Sequence, residues 1–321
     1  MIPQDLLLVK ILKIVLNILP EIKLPRKVGR PFVYSIKVIV CCLLVMAAKK
    51  LSVRGLYAFL TSKEDYQAEE IRKTIPFPGG SIPNRRTFNR RFKRSMLAIQ
   101  KYMLSAVLLL VKRLGLGIAR LSLDNRMFAA YGGIWHRKDQ VKGIIPDKVR
   151  NIDPTAGWGV SAYRGWVFGH ALDVFVTTGK LVIPVIALGR SLVIRGNTAV
   201  KTITCLLPKV KKGIVSADSE YYDQDLNDLL QKTGRSLHSP SKRNPKLTPK
   251  SVTYDRRKKT VEPFYERFLL AFNARGKLDR RGPDAWPYLV ACCFLYQLMV
   301  IYNVLASKPN PLEVTHLICL L

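Results

Sequence analysis

The hydrophobic pattern of this 321-residue chain changes character near residue 118. Before that point, apolar residues recur with helical periodicity in runs broken by proline, which predicts helices at about 3–19, 34–49, 53–62 and 95–114. After it, short β-like runs occur between helical segments, at 119–124, 165–177, 181–188 and 213–217. This order predicts an α/β domain, residues 118–321, with a mixed sheet and flanking helices, preceded by an all-α region, residues 1–117.

Three acidic residues lie in or beside apolar runs. Asp124 and Asp218 each end a β-like run, and Glu262 directly precedes Pro263. We expect the first two at the ends of buried strands and Glu262 in the first turn of a helix, where proline is tolerated. A carboxylate in such a place is costly to desolvate unless its charge is compensated, and a divalent cation is one compensator. Acids at the ends of neighbouring strands can converge on one cleft.

The chain is strongly basic. It contains 53 Lys and Arg against 22 Asp and Glu, which gives a formal net charge of +31. Such an excess causes self-repulsion, and an anionic partner is the usual reason for it. Nucleic acid, ribosomal RNA and an anionic membrane surface are the candidates.

The segment 84–94 is the one most suited to contact DNA. Pro83 or Asn84 can start a helix, on which Phe88 and Phe92 share a face that can anchor it to the core. The basic side chains would then spread over the remaining surface, where they could dock on phosphates or in a major groove. A solvated basic face is the alternative. The predicted DNA-binding residues here are Arg85, Arg86, Arg90, Arg91, Lys93 and Arg94.

Two further segments are predicted to lie beside DNA. Residues 239–260 hold eight Lys or Arg and one acid, with three prolines in the first half, which predicts an extended basic loop leading to Glu262. A disordered charged linker is the alternative. Residues 125–164, rich in Gly, Lys and Arg, are predicted to be an excursion between strands.

Cysteine usage and hydropathy bear on the compartment. The six cysteines have no C-x-x-C spacing, and two vicinal pairs lie inside apolar helical runs, which indicates buried thiols of a reduced, cytoplasmic protein. Residues 285–306 form an uncharged stretch of 22 residues, long enough to cross a membrane. Because Pro287, Gln297 and Asn303 interrupt it, we favour a buried core helix and keep a basic membrane protein as an alternative.

Several blocks together resemble one known family. The first acid lies in "LSLDNRMFAAYGGIWHRKD", the second in "VSADSEYYD" and the third in "TVEPFYERF", with "GWGVSAYRGWVFGHALDVFVTT" between the first two. In this order the blocks resemble the DDE transposases of bacterial and archaeal insertion sequences. The resemblance covers most of the chain. It implies a ribonuclease-H-like catalytic core behind a helical N-terminal region.

The resemblance also implies an activity. Asp124, Asp218 and Glu262 would be catalytic residues and ligands of two Mg²⁺ ions, for which Mn²⁺ could substitute. The protein would bind terminal inverted repeats in double-stranded DNA, cut the element's ends and transfer the freed strand to target DNA. Because two ends must be joined, a homodimer is expected in the synaptic complex. No membrane partner is expected, and DNA binding would place the protein on the nucleoid.

The sequence departs from the family pattern after the basic loop. Relatives often carry a Tyr and an Arg shortly before the Glu, and a Lys seven residues after it. Tyr254 and Arg257 have the matching mutual spacing and are predicted to bind DNA, but Glu262 falls one residue late and Leu269 stands where the Lys would be. A catalytically inactive, transposon-derived DNA-binding protein is therefore the alternative function.

Overall fold

The structure is a computed structural model that describes residues 7–22, 32–145, 147, 151–161, 165–240, 250–274, 278 and 284–314, with side chains from 257 onward in the stretch that starts at 250. Its residues divide into two compact units, Met1–Leu114 with Val290–Leu321, and Gly115–Leu289. The sequence-based division placed the boundary at 117/118 and the C-terminal segment with the α/β domain. In the structure, that last segment clusters with the helical unit.

The first unit is helical, and each of the four helices predicted for it is present. Serine, aspartate and asparagine side chains accept hydrogen bonds from the first-turn amides of four helices, which satisfies donors that a helix start leaves unpaired. These caps are Ser35, Ser52, Asp65 and Asn84. The helices are α1 (Leu7–Lys13, continued by a π-helical turn, Ile14–Ile18), α2 (Ile36–Ala48), α3 (Val53–Thr61), α4 (Tyr66–Thr74), α5 (Arg85–Phe92) and α6 (Met96–Leu114).

Helix α2 is the centre of this unit. Each of its residues except Lys37 is buried, as expected for a helix that is apolar on all sides. The Lys37 ammonium donates to the carbonyl oxygens of Leu16 and Leu19, at 2.9 and 2.8 Å, and so satisfies the end of the π-helical turn.

The second unit contains a six-stranded mixed sheet. Its strands are β1 (Arg120–Ala129), β2 (Gly157–Ser161), β3 (Gly165–Thr177), β4 (Pro184–Ser191), β5 (Gly213–Ala217) and β6 (Arg235–His238). The helices in this part of the chain are α7 (Arg137–Lys142), α8 (Gly196–Thr204), α9 (Gln224–Gln231), α10 (Lys250–Ala271) and α11 (Ala285–Leu305), the last of which continues into the first unit.

The strand order identifies the fold class. Strands β1 and β4 pair antiparallel with the same stretch of β3, so they lie on its opposite sides. Strand β2 pairs antiparallel with the first residues of β3. On the other side of β1, strands β5 and β6 are parallel to it and to each other. With β2 left aside, the order β4-β3-β1-β5-β6 is that of a ribonuclease-H-like mixed sheet. The predicted α/β fold class is confirmed.

Two boundaries differ from the sequence-based expectation. Strand β1 does not end at Asp124 but continues to Ala129, because β3 pairs with it along its whole length. Helix α10 begins at Lys250, so residues 250–260 are helical and are not part of an extended loop. Pro263 accordingly lies inside this helix and not in its first turn.

Helix α11 passes a length and hydropathy test for a membrane span. Of its most apolar 18-residue window, 83% is buried inside the protein, as for the core helix of a globular unit. Among the described residues, the bent pair α5 and α6 meets the same test only when the two helices are taken together.

The start of α11 is fixed to the sheet by a buried polar chain. Trp286 Nε1 donates to His170 Nδ1 at 3.0 Å, and His170 Nε2 lies 2.9 Å from Asp153 Oδ2. The side chains of His170 and Asp153 are fully buried. Gly189 permits the close approach of this helix, since a Cβ there would lie 2.7 Å from the Trp286 backbone.

Candidate active site

The sheet places Asp124 and Asp218 side by side. The parallel pairing of β1 with β5 ends at Leu123 and Ala217. Asp124 directly follows Leu123, and Asp218 directly follows Ala217. Leu121 and Leu123 are fully buried on one face of β1, so strand alternation points Asp124 to the other face. The two carboxylates therefore meet where β5 ends, as the sequence predicted for neighbouring strands.

Helix α10 covers the face to which Asp124 points. Thr260 Oγ1 bonds Ser122 Oγ at 2.9 Å, and the Tyr265 hydroxyl lies 2.7 Å from the Leu172 carbonyl oxygen and 3.1 Å from that of Asp124. These contacts fix the rotation of the helix over β1 and β3. Neither Thr260 nor Tyr265 was identified from the sequence, because an isolated hydroxyl in a helix carries no pattern.

Arg257 is the residue of α10 that reaches both aspartates. Its Nη2 lies 2.8 Å from Asp124 Oδ2 and 3.8 Å from Asp218 Oδ2. The Arg257 side chain is nearly buried, whereas half of the Asp218 side chain is exposed. The site is therefore an acid pair with a guanidinium held at both carboxylates, open to solvent on the Asp218 side.

Burial and charge act against each other at this pair. Burial raises the pKa of Asp124 to about 6, although the charge and hydrogen bond of Arg257 oppose the rise. Burial alone would lower the pKa of the Arg257 guanidinium, but the charge and hydrogen bond of Asp124, followed by the charges of Asp218 and Glu262, outweigh burial and raise it. Arg257 therefore stays charged and stabilises the ionised form of Asp124.

Glu262 has an exposed side chain on α10. The buried face of α10 contains Arg257 together with Val261 and further apolar residues at helical spacing. The residue after Val261 is rotated by about 100°, so Glu262 is exposed. Its negative charge helps to raise the pKa of Arg257, although no hydrogen bond or ion pair joins Glu262 to a side chain that is described. Within the described part of the chain, no three His, Cys, Asp or Glu side chains come together in a way that could hold a metal ion.

A largely buried network of polar side chains lies next to Asp124 and Asp218. Arg190 Nε donates to Asp173 Oδ2 at 2.6 Å, and Arg190 Nη2 lies 3.3 Å from Glu220 Oε1. The Tyr221 hydroxyl donates to Asp173, and Asn125 Nδ2 donates to Glu220 Oε2 at 2.8 Å. The network thus ties the residue after Asp124 to the turn that follows Asp218. Burial raises the pKa of Asp173, with Arg190 opposing the rise.

The predicted basic helix is present as α5. Phe88 and Phe92 are buried with ring centroids 5.2 Å apart, which confirms the predicted apolar anchor. Five of the six basic residues are exposed, namely Arg85, Arg86, Arg90, Lys93 and Arg94.

Arg91 differs from the other five. It is buried, and its guanidinium carbon lies 3.9 Å from the centroid of the Phe32 ring. Burial, followed by the charges of Arg90 and Arg94, lowers the pKa of Arg91. Arg91 therefore serves packing through a cation–π contact and does not lie on the surface that the other five form.

Other predicted residues lie partly outside the described range. Tyr254 belongs to α10, but its side chain is not among those described, and residues 241–249 of the predicted basic loop are also outside the range. In the predicted excursion, β1 runs to Ala129 and is followed by α7 and the edge strand β2.

The chain was also compared with known proteins. Neither a protein-family model nor a curated protein matches it. Among solved structures, the cryo-EM structure of the piggyBac transposase synaptic complex with hairpin DNA is similar, with a TM-score of 0.41 and 11% sequence identity over 99% of this chain and 79% of that chain.

Proposed function

We propose that this chain is a DNA transposase with a ribonuclease-H-like catalytic unit. The observation that carries the proposal is the convergence of Asp124 and Asp218 from adjacent parallel strands of this sheet. The net charge of +31 and the exposed basic side chains of α5 support DNA as the partner. The protein would bind terminal inverted repeats, cut the ends of its element and transfer the freed strand.

The acid pair fits Mg²⁺ in donor type. Carboxylate oxygens are the ligands that Mg²⁺ prefers, and both carboxylates already face one positively charged group, the Arg257 guanidinium. Asp124 and Asp218 would hold the cation. When bound, it would increase the acidity of the attacking water or hydroxyl and stabilise charge on the leaving oxygen. The half-exposed Asp218 would face the DNA.

A cleavage assay tests the proposal. The purified protein is incubated with DNA that carries the genomic flanks of its own gene, in Mg²⁺ or Mn²⁺, and strand breaks are mapped on a sequencing gel. We expect cleavage at two inverted repeats, and none when EDTA replaces the cation. If the flanks contain inverted repeats that are bound but never cut with either cation, the catalytic part of the proposal is wrong.

A catalytically inactive, transposon-derived DNA-binding protein is the second candidate. One observation favours it. On the buried face of α10, the residue one helical turn after Arg257 is Val261 and not an acid, while Glu262 is exposed. This candidate predicts tight, salt-sensitive DNA binding without nicking. The cleavage assay above therefore separates the two candidates.

The role of α5 gives a separate prediction. Changing Arg86, Arg90 and Lys93 to Ala should weaken DNA binding and flatten its salt dependence, because a side chain that neutralises a phosphate releases counterions. The slope of log K against log salt should fall by about 1 for each phosphate that is no longer neutralised. Fluorescence anisotropy of a labelled duplex, measured over a range of salt concentrations, gives this slope.

A control with the same charge change isolates the helix. Arg54, Lys63 and Lys112 are exposed and lie outside α5, so changing them to Ala removes three positive charges elsewhere in the same unit. We expect a smaller change in the slope for this control. Equal slopes for the two triple variants would show that α5 is not the DNA-binding helix.

The synaptic state gives another prediction. Since strand transfer joins two ends, the active complex should contain two protomers. Light scattering of the protein with a duplex that carries one end should give the mass of two chains and two duplexes. A complex of one chain and one duplex at saturating DNA would contradict this part of the proposal.

A further inference from the structure

The Arg257 guanidinium is held by both aspartates but is not fully bonded. Its Nη2 contacts Asp124 and approaches Asp218, whereas its Nε is buried and has no acceptor among the described residues. A guanidinium offers five N–H donors in a fork that matches carboxylate and phosphate oxygens. Arg257 therefore keeps donor capacity for a further anion. Because Nε is shielded, that capacity can be used only when the side chain moves.

Arg257 and a divalent cation need the same oxygen atoms. Mg²⁺ binds carboxylate oxygens at about 2.1 Å, with near-ideal octahedral geometry. The guanidinium already lies 2.8 Å from Asp124 Oδ2 and faces Asp218. A cation placed between these carboxylates would meet a fixed positive charge at contact distance. Occupation of the pair by Arg257 and by a divalent cation is thus mutually exclusive.

We propose that Arg257 is a resident counter-ion that excludes divalent cations from the acid pair until a DNA phosphate takes over the guanidinium. The inference rests on the proposed function and adds an order of events to it, in which nucleic acid binds first and the cation second. A phosphate suits this exchange because it can offer two oxygen acceptors to a guanidinium that contacts the aspartates through Nη2. Asp124 and Asp218 would remain neutralised throughout, first by the guanidinium and then by the cation.

The position of Arg257 favours such an exchange. It lies on α10 directly before Lys258 and Lys259, which are both exposed. A phosphodiester attracted by these two charges would arrive beside the guanidinium, on the helix that carries it. The half-exposed side chain of Asp218 leaves the pair open to solvent on one side.

Cation binding to the DNA-free protein tests the exclusion directly. Free Mn²⁺ is measured by electron paramagnetic resonance during titration of the wild type, Arg257→Met, and the double variant Asp124→Asn with Arg257→Met. We expect Arg257→Met to bind one Mn²⁺ at least about tenfold more tightly than the wild type, since a charge at contact distance is removed. The double variant should lose this gain, which places the site at the aspartates. Equal Mn²⁺ affinity of the wild type and Arg257→Met would overturn the inference.

A second variant keeps the test valid if Arg257→Met folds poorly. Arg257→Lys retains the positive charge but lacks the planar fork, so Asp124 stays paired. We expect its Mn²⁺ affinity to lie between those of the wild type and Arg257→Met. We also expect Mn²⁺ to raise the Tm of Arg257→Lys more than that of the wild type. No difference between the Mn²⁺-induced Tm shifts of these two proteins would contradict the inference.

A DNA arm separates this inference from the proposed function. The Mn²⁺ titration is repeated with a short duplex that carries one inverted repeat of the genomic flanks, and the uptake by Asp124→Asn with the same duplex is subtracted. We expect the duplex to raise the Mn²⁺ affinity of the wild type and to leave that of Arg257→Met unchanged. If these shifts occur without strand cleavage, the catalytic proposal fails and the inference stands. If cleavage occurs while the duplex leaves the Mn²⁺ affinity of the wild type unchanged, the inference fails alone.

Discussion

Asp124→Asn is expected to reduce Mg²⁺-dependent DNA cleavage by about 10³-fold or more, a loss of roughly 4 kcal/mol of transition-state stabilisation. The amide has nearly the same size as the carboxylate but does not carry the negative charge that would hold the cation. DNA binding should be retained, because the basic residues of α5 are unchanged. Single-turnover cleavage and anisotropy, measured on the same duplex, give the two quantities.

An exposed aspartate provides the matched control. Asp225 is 82% exposed and pairs with Lys201 at the surface. Asp225→Asn makes the same chemical change and should leave the cleavage rate within about twofold, since exposed ion pairs contribute little. A cleavage rate for Asp124→Asn within tenfold of the wild type would remove Asp124 from the catalytic site.

Arg190→Met is expected to destabilise the second unit by about 3–5 kcal/mol, because it leaves the Asp173 carboxylate buried without its cation. For a unit of this size that corresponds to a fall in Tm of roughly 10 °C. Asp173 is fully buried, so solvent cannot replace the missing guanidinium. Circular dichroism during heating, or urea unfolding, would measure the change.

A double variant identifies the cause of that loss. If the unpaired charge is responsible, Asp173→Leu in the Arg190→Met background should recover most of the stability, since replacing a whole buried ion pair by apolar groups is often nearly neutral. Arg137→Met serves as the control, because Arg137 is exposed and stacks over Trp166. Recovery of none of the stability in the double variant would show that the Arg190 contacts, and not the unpaired Asp173, account for the loss.

Local patterns were enough to predict the parts of the fold that local interactions determine. The run 213–217 followed by Asp218 predicted β5 and an acid at its end, because an apolar stretch bounded by polar residues has few other interpretations. The apolar periodicity of 95–114 predicted α6 for a similar reason. The position of Asp124 beside Asp218 then followed from the expectation that the two strands are neighbours.

Tertiary contacts account for the two element boundaries that were predicted wrongly, the end of β1 and the start of α10. The β-like run 119–124 was expected to end at Asp124, yet pairing with the long strand β3 extends β1 to Ala129. Pro263 suggested a helix start, since proline is best tolerated there, but α10 begins at Lys250. In both cases the element is stabilised by packing against the sheet, which local propensity does not record.

The composition of the candidate site could be predicted only in part. Its two aspartates were found from their setting at the ends of β-like runs. The family resemblance singled out Arg257 as a DNA-binding residue but did not indicate its partner, because the ion pair between Arg257 and Asp124 joins residues 133 positions apart. The exposed position of Glu262 follows from the phase of α10, which depends on the contacts of Thr260 and Tyr265 with the sheet.

The buried hydrogen bonds at the start of α11 also determine the tautomer of His170. Because the Trp286 N–H donates to Nδ1, the proton of His170 must reside on Nε2, where it is shared with Asp153. A proton so enclosed exchanges slowly with water and should give a resolved downfield NMR resonance, in a chain with only four histidines. Asp153 precedes β2, so this resonance would report whether that segment stays docked on the sheet when nucleic acid binds.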